Sequence, residues 1–355
     1  MIVKNLLVVG AVATMASAAA AQESKANIKV GAKIRVDNVQ TTEESKPNGG
    51  DKSTTKTSGI NLKRAEINVT GEHGSDSLSI KYYLEGDQPH LRQATITHKF
   101  SDMVSATFGR MPLMAGSIEN SYDSIDRYFD SMALGHMAGE HNGATVKLSF
   151  GDNHVSLQAV EGVRNISEET SNVEFEQKGG LTTGLQYKGD FGMARPILTY
   201  TMVKTASSKS KVQDGANATS TNYGNGYKTI LGAGVQVDAG AVIDVEFDSV
   251  KEHKPKDVDG AKDKNTQSII AQAKYAIGDT TPFLKIMHET MKQGAAKDSG
   301  DISSLTYGFG AEHKLDAACR LHALVKMANK TTKNNEGKDD KTNSTEFNLG
   351  VTASM

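Results

Sequence analysis

Apolar and polar residues alternate along almost the whole chain, and this property decides most of what it can fold into. Ile28, Val30, Ala32, Ile34 and Val36 share one parity, while Lys29, Lys33, Arg35 and Asp37 share the other. The split recurs at Leu78, Ile80, Tyr82 and Leu84 against Ser79, Lys81, Tyr83 and Glu85. It returns at Ile243, Val245 and Phe247 against Asp244, Glu246 and Asp248, and ends the chain at Phe347, Leu349, Val351, Ala353 and Met355. Successive side chains of a strand point to opposite faces, so a period of two marks strands with one apolar and one polar face. Helical periodicity is scarce after residue 25. Marking every such run predicts about sixteen strands, near 27–39, 59–71, 76–86, 90–100, 104–111, 143–150, 154–162, 180–188, 194–204, 225–237, 241–250, 266–277, 281–290, 303–314, 318–328 and 343–355.

The connections alternate too. Segments 71–75, 101–103, 151–153, 189–193, 238–240, 278–280 and 315–317 are short, most of them rich in Gly, Asp or Asn, the residues of tight turns. Between them lie long polar stretches at 40–58, 112–142, 205–224, 251–265 and 329–342. Short connections at one end and long ones at the other are the pattern of an up-and-down barrel in an outer membrane. A soluble sandwich also alternates. It does not need so many long loops, nor charge in mid-strand on most strands. A closed barrel pairs every backbone N–H and C=O, which lets such strands cross lipid.

Composition fits once period two is recognised. The chain is 37% hydrophobic and 23% charged, with a mean hydropathy of -0.43. A multi-span helical protein is excluded, because each span needs roughly 20 mostly apolar residues. One cysteine excludes a disulfide scaffold, and a net charge of -2 gives no footprint for nucleic acid. The histidines form neither H-E-x-x-H nor a Cys/His cluster, and no G-x-S-x-G occurs, so no metal, cofactor or catalytic set is expected. At the N-terminus, Lys4 precedes an apolar run at 6–15 and the small residues Ala16 to Ala21. That is the order of a cleavable secretory signal, so residues 1–21 are expected to be removed and 22–355 to form the barrel. The expected surroundings are outer-membrane lipid and lipopolysaccharide.

The run Leu62-Lys63-Arg64-Ala65-Glu66-Ile67-Asn68-Val69-Thr70-Gly71 resembles the basic second strand of phosphate-selective bacterial porins, and Thr107-Phe108-Gly109-Arg110-Met111-Pro112 resembles the porin fifth strand as it enters its third loop. The resemblance to bacterial outer-membrane porins implies a passive channel for ions and small hydrophilic solutes. It also implies a third loop, 112–142, folded inward as a constriction, and a homotrimer. Three departures stand out. The second outer loop is only about Gly86 to His90, the last residue is Met355 rather than an aromatic, and Trp is absent. The aromatic girdles are therefore expected from Phe108, Tyr200, Tyr227, Tyr275, Tyr307 and Phe309.

The third loop carries Glu119, Asp123, Asp126, Asp130 and Glu140 against a single Arg127. Lys33, Arg35, Arg64 and Lys81 fall on the polar strand face. The expectation is that Glu119, Asp123, Asp126 and Asp130 face these wall cations across the pore. Two unit charges ~10 Å apart interact by about 0.4 kcal/mol at water's dielectric and about 1.7 kcal/mol at an effective value of 20. Such a field biases ions and does not make a tight site. A phosphate- or anion-selective channel is favoured by the basic strands and opposed by the acidic loop. The low-complexity outer stretches would equally suit an adhesin or surface antigen.

Overall fold

The computed structural model describes residues 27–84, 90–114, 140–161, 173–178, 180–204, 207–214, 217–223, 227–253, 263–293, 300–334 and 336–355. The first half of the chain forms β1 (Asn27–Lys46), β2 (Ser53–His73), β3 (Asp76–Tyr83), β4 (His90–Lys99), β5 (Val104–Pro112), β6 (Glu140–Phe150) and β7 (Asn153–Glu161). Then come β8 (Val173–Lys178), β9 (Leu181–Lys188), β10 (Ala194–Lys204), β11 (Ser207–Asp214), β12 (Asn217–Tyr223) and β13 (Tyr227–Asp238). The chain ends with β14 (Val242–His253), β15 (Lys264–Lys274), β16 (Thr280–Lys292), β17 (Ile302–Lys314), β18 (Cys319–Lys333) and β19 (Asp339–Ser354).

Sixteen of these strands close into one antiparallel barrel, β1 pairing with β19 to seal it. The sixteen are those the alternation predicts. The other three, β8, β11 and β12, form a separate sheet in the order β12-β11-β8. They come from the long connections β7–β9 and β10–β13. Closure leaves the barrel without an edge strand, so its backbone polar groups are paired within the wall.

Each wall strand turns large apolar side chains outward. Leu198, Leu231, Ile243, Val245, Ile269 and Leu284 stand exposed there. Alternate residues such as Thr199, Asp244, Ser268 and Lys285 are buried on the inner face. Phe108, Tyr200, Tyr227, Tyr275 and Phe309 also expose their rings. Tyr307 shares the outward parity of Phe309 and accepts a 2.9 Å bond from Asn329 Nδ2 on its hydroxyl. The short turns use glycine where the backbone needs positive φ, as at Gly74 (φ 57), Gly151 (φ 61) and Gly278 (φ 58).

The outer ends of the barrel depart from the sequence expectation. The stretches 40–58 and 329–342 are mostly strand. β1 and β2 run on in register to Ser45 opposite Ser53, and β18 and β19 to Lys333 opposite Asp339. Part of 205–224, expected as loop, is β11 and β12. These extensions are rich in Thr, Ser and Lys, so they have no apolar parity to read. The backbone ladder continues without it, helped by β-branched threonines. The third loop is also shorter than 112–142, since Pro112 ends β5 and Glu140 begins β6.

Candidate functional site

The inner wall is the candidate site, and two bulges shape its basic side. Arg35 pairs with Arg64 but Val36 pairs with Leu62, which leaves Lys63 as an extra residue. Lys81 pairs with Gln93 and Tyr82 with Leu91, which leaves Arg92 extra. A bulge re-aims side chains and shifts parity. Here Ile60 and Leu62 point outward before the bulge, and Ala65, Ile67 and Val69 carry the outward parity after it.

Lys33, Arg35, Arg64 and Lys81 all lie on the inner face of β1, β2 and β3. Arg35 is directly opposite Arg64, and Lys33 is opposite Glu66. Lys81 is opposite Asn68 on one side and Gln93 on the other. Tyr83 lies among them with its ring nearly buried; the Arg92 guanidinium is 4.6 Å and that of Arg64 6.0 Å from the ring centroid. Arg92 is a wall cation that the sequence reading missed, because a bulge residue falls outside the parity rule.

Wall acids accompany these cations. Arg35 donates from Nε and Nη2 to the two carboxylate oxygens of Asp37 at 2.9 and 2.7 Å. His322 Nε2 lies 3.0 Å from Asp37 Oδ1, and Asn348 Nδ2 donates to Oδ2 at 2.8 Å. This node is fully buried at Asp37 and joins the first strand to the last two. Gly350 lies against it, and a Cβ there would collide with Asp37 and His322. Arg64 is 4.0 Å from Glu66, which accepts a bond from Asn68.

Glu119, Asp123, Asp126 and Asp130 lie outside the described residues. The root of their loop is described. Met111 and Leu113 pack with Val160, Val203, Ile230 and Val250. Met114 N donates to Gln158 Oε1 at 2.8 Å, and the Thr201 hydroxyl donates to the Met114 carbonyl. Gln158 and Thr201 belong to the inner faces of β7 and β10, so residues 113–114 bend onto the inner wall.

An acidic strip completes the wall. Asp244, Glu246 and Asp248 project inward at successive inner positions of β14, all buried. Asp244 accepts from Gln236 Nε2 at 2.9 Å and Gln272 Nε2 at 2.8 Å, one amide from each neighbouring strand. In the order of the barrel β3 is the third of sixteen strands and β14 the eleventh, so they are eight apart and diametrically opposite. Cations on one side of the lumen therefore face acids on the other. The sequence placed these acids on the polar face, but only closure sets them against β3.

Many solved structures resemble this one, and three of them show the range. An anion-selective porin from Comamonas acidovorans aligns with a TM-score of 0.61 at 12% identity, over 93% of this chain and 100% of its own. The outer membrane channel DcaP of Acinetobacter baumannii gives 0.61 at 13%, over 94% and 99%. The trimer form of in-vitro folded OmpT, an outer membrane protein of Vibrio cholerae, gives 0.59 at 14%, over 93% and 99%.

The fold is that of the outer-membrane porins.

No family model and no curated protein matches the sequence. At these identities the likeness is one of architecture.

Proposed function

We propose that the chain forms a water-filled channel in a bacterial outer membrane, through which ions and small hydrophilic solutes diffuse passively with weak charge selectivity. The carrying observation is the closed sixteen-strand wall with apolar side chains outside and charged ones inside. A barrel of this size leaves an aqueous lumen. Residues 1–21 would direct export, and lipid and lipopolysaccharide would surround the barrel. A homotrimer fits the trimeric form of the similar Vibrio protein.

Selectivity follows from wall cations on β1–β3 facing wall acids on β14, with Glu119, Asp123, Asp126 and Asp130 of the third loop adding to the acidic side. The field orients dipolar solutes and biases small ions. Purified protein in planar lipid bilayers should give stepwise conductance, with a reversal potential set by this balance under a salt gradient. A barrel that inserts but never conducts would sink the channel reading and favour an adhesin or surface antigen.

One observation favours a second reading, an anion- or phosphate-selective channel. Lys147, His154 and Lys188 share the inner face of β6, β7 and β9 near the short turns, with His154 directly opposite Lys188. Conductance that saturates with phosphate, or is blocked by it, would favour this over simple diffusion.

A further inference from the structure

The outward face of the wall changes character at the closing seam. A groove of about 500 Å3 runs there across β17, β18, β19 and β1. Phe309, Phe347 and Leu349 stand exposed as its ridges. Ala311 and Ala323, directly opposite each other, make a low floor between them. Asn38 and Gln40 bound the groove on β1, opposite Leu349 and Phe347 and therefore on the same outward face. Both amides are exposed, although Val36 precedes them on this face and Ile60 of β2 lies opposite Asn38. Hydrocarbon offers such amides no hydrogen-bond partner. The outward parity continues up the extended strands and there carries lysines. Lys56 of β2 is opposite Thr42, the next outward position after Gln40. Lys46 of β1 and Lys341 of β19 are directly opposite each other, and both are exposed. Like charges placed so repel each other. The outward acids nearby are already matched: Glu44 takes Lys52 at 2.7 Å, and Asp339 is opposite Lys333.

The geometry points to this seam as a specific binding site for one lipopolysaccharide molecule, an inference that rests on the outer-membrane reading. One acyl chain lies in the groove, between the aromatic ridges and over the two alanines. Asn38 and Gln40 hydrogen-bond the amide, ester and hydroxyl groups at the head of that chain. Lys56, Lys46 and Lys341 hold phosphates of the saccharide, which relieves the repulsion between the last two. The length of the site selects this lipid over a glycerophospholipid. From Phe347 to Lys341 the strand climbs about 20 Å. A glycerophospholipid carries its phosphate next to its acyl esters, so it reaches Lys56 at most. A phosphorylated saccharide headgroup extends outward and reaches the Lys46–Lys341 pair as well. The long-connection end of the barrel, where these lysines stand, is the end that faces outward from the cell.

The test uses the mature chain refolded in detergent free of lipopolysaccharide, titrated separately with purified lipopolysaccharide and with phosphatidylglycerol, the bound lipid being measured at each step. Lipopolysaccharide should bind saturably, with a half-saturation several-fold below that of phosphatidylglycerol and rising with added NaCl. Lys46→Gln with Lys341→Gln should raise the half-saturation for lipopolysaccharide several-fold and leave that for phosphatidylglycerol unchanged. Ala323→Phe, which fills the floor of the groove, should raise it too, whereas Asp279→Asn on the short turn between β15 and β16 should not. Equal binding of the two lipids would overturn the site and leave an ordinary lipid-facing surface. So would a lysine double variant that binds like the wild type. Should Ala323→Phe not fold, the lysine pair decides, since both side chains are exposed and support no packing. Conduction is not read, so a barrel that binds the lipid and never conducts sinks the channel reading alone, and one that conducts without binding sinks this inference alone.

Discussion

The two sides of the barrel wall handle charge in opposite ways. On β1 and β2 the cations are matched close by. Arg35 is held bidentate by Asp37, and Arg64 has Glu66 at 4.0 Å. On β14 three acids stand in a row, one of them held by neutral amides from both neighbouring strands. Counting charged side chains by type would make the first side strongly positive and the second strongly negative. By contacts, two cations of the first side sit beside carboxylates, and Asp244 of the second is held by neutral amides. If the barrel conducts, the two sides should therefore contribute unequally to the field along its axis.

The largest effect is expected where compensation is most complete. Asp37→Ala removes the acceptor of Arg35, His322 and Asn348 at the seam where the barrel closes. Breaking a buried ion pair by removing one partner costs about 3–5 kcal/mol. The folded, heat-modifiable form on gels should lose stability to urea by that order. The companion Asp37→Ala/Arg35→Met should recover much of it, since no buried charge is then left alone. If the single variant is as stable as the wild type, the node is not what ties the first strand to the last.

Next comes the acidic side. Replacing Asp244, Glu246 and Asp248 together by amides should move the reversal potential under a KCl gradient toward anion preference. A charge ~10 Å from the ion path contributes about twofold in relative permeability at water's dielectric, and more at lower values. The triple variant is therefore expected to change the ratio several-fold. If the ratio is unchanged, these acids are out of reach of the ion path, and the comparison between the two sides fails. Asp123→Asn with Asp126→Asn should shift the potential in the same direction. Comparing the two sets separates loop acids from wall acids.

How much of this could be read in advance depends on the range of the interaction. All sixteen wall strands were legible, because a barrel wall imposes period two on every residue it contains. So were the four cations Lys33, Arg35, Arg64 and Lys81 on the polar face. The bulge at Lys63 leaves a local trace, two cations in succession followed by a change of apolar parity. The partners of Asp37 leave none. His322 and Asn348 are 285 and 311 residues away in sequence, and only closure brings them together. The opposition of β3 and β14 is invisible for the same reason. The strand extensions at Gln40 to Lys46 and Asn329 to Lys333, and the sheet of β8, β11 and β12, lie where no apolar face selects a parity. There the backbone ladder alone carries the structure.

The smallest effect is expected from the compensated side, and it is the sharpest test of the contrast. Arg64→Gln removes one wall cation that already has Glu66 nearby. Its neutralisation removes one positive charge beside Glu66, so the wall becomes slightly more negative and cation preference rises. The change should be under about twofold, because Arg64 and Glu66 act on a distant ion as a dipole whose field falls faster than that of a single charge. Glu66→Gln in the same background should return the ratio toward the wild-type value. A shift for Arg64→Gln as large as that of the β14 triple would mean that Arg64 acts as an uncompensated charge in the lumen. The pairing on β1 and β2 would then be too loose to distinguish the two sides of the wall.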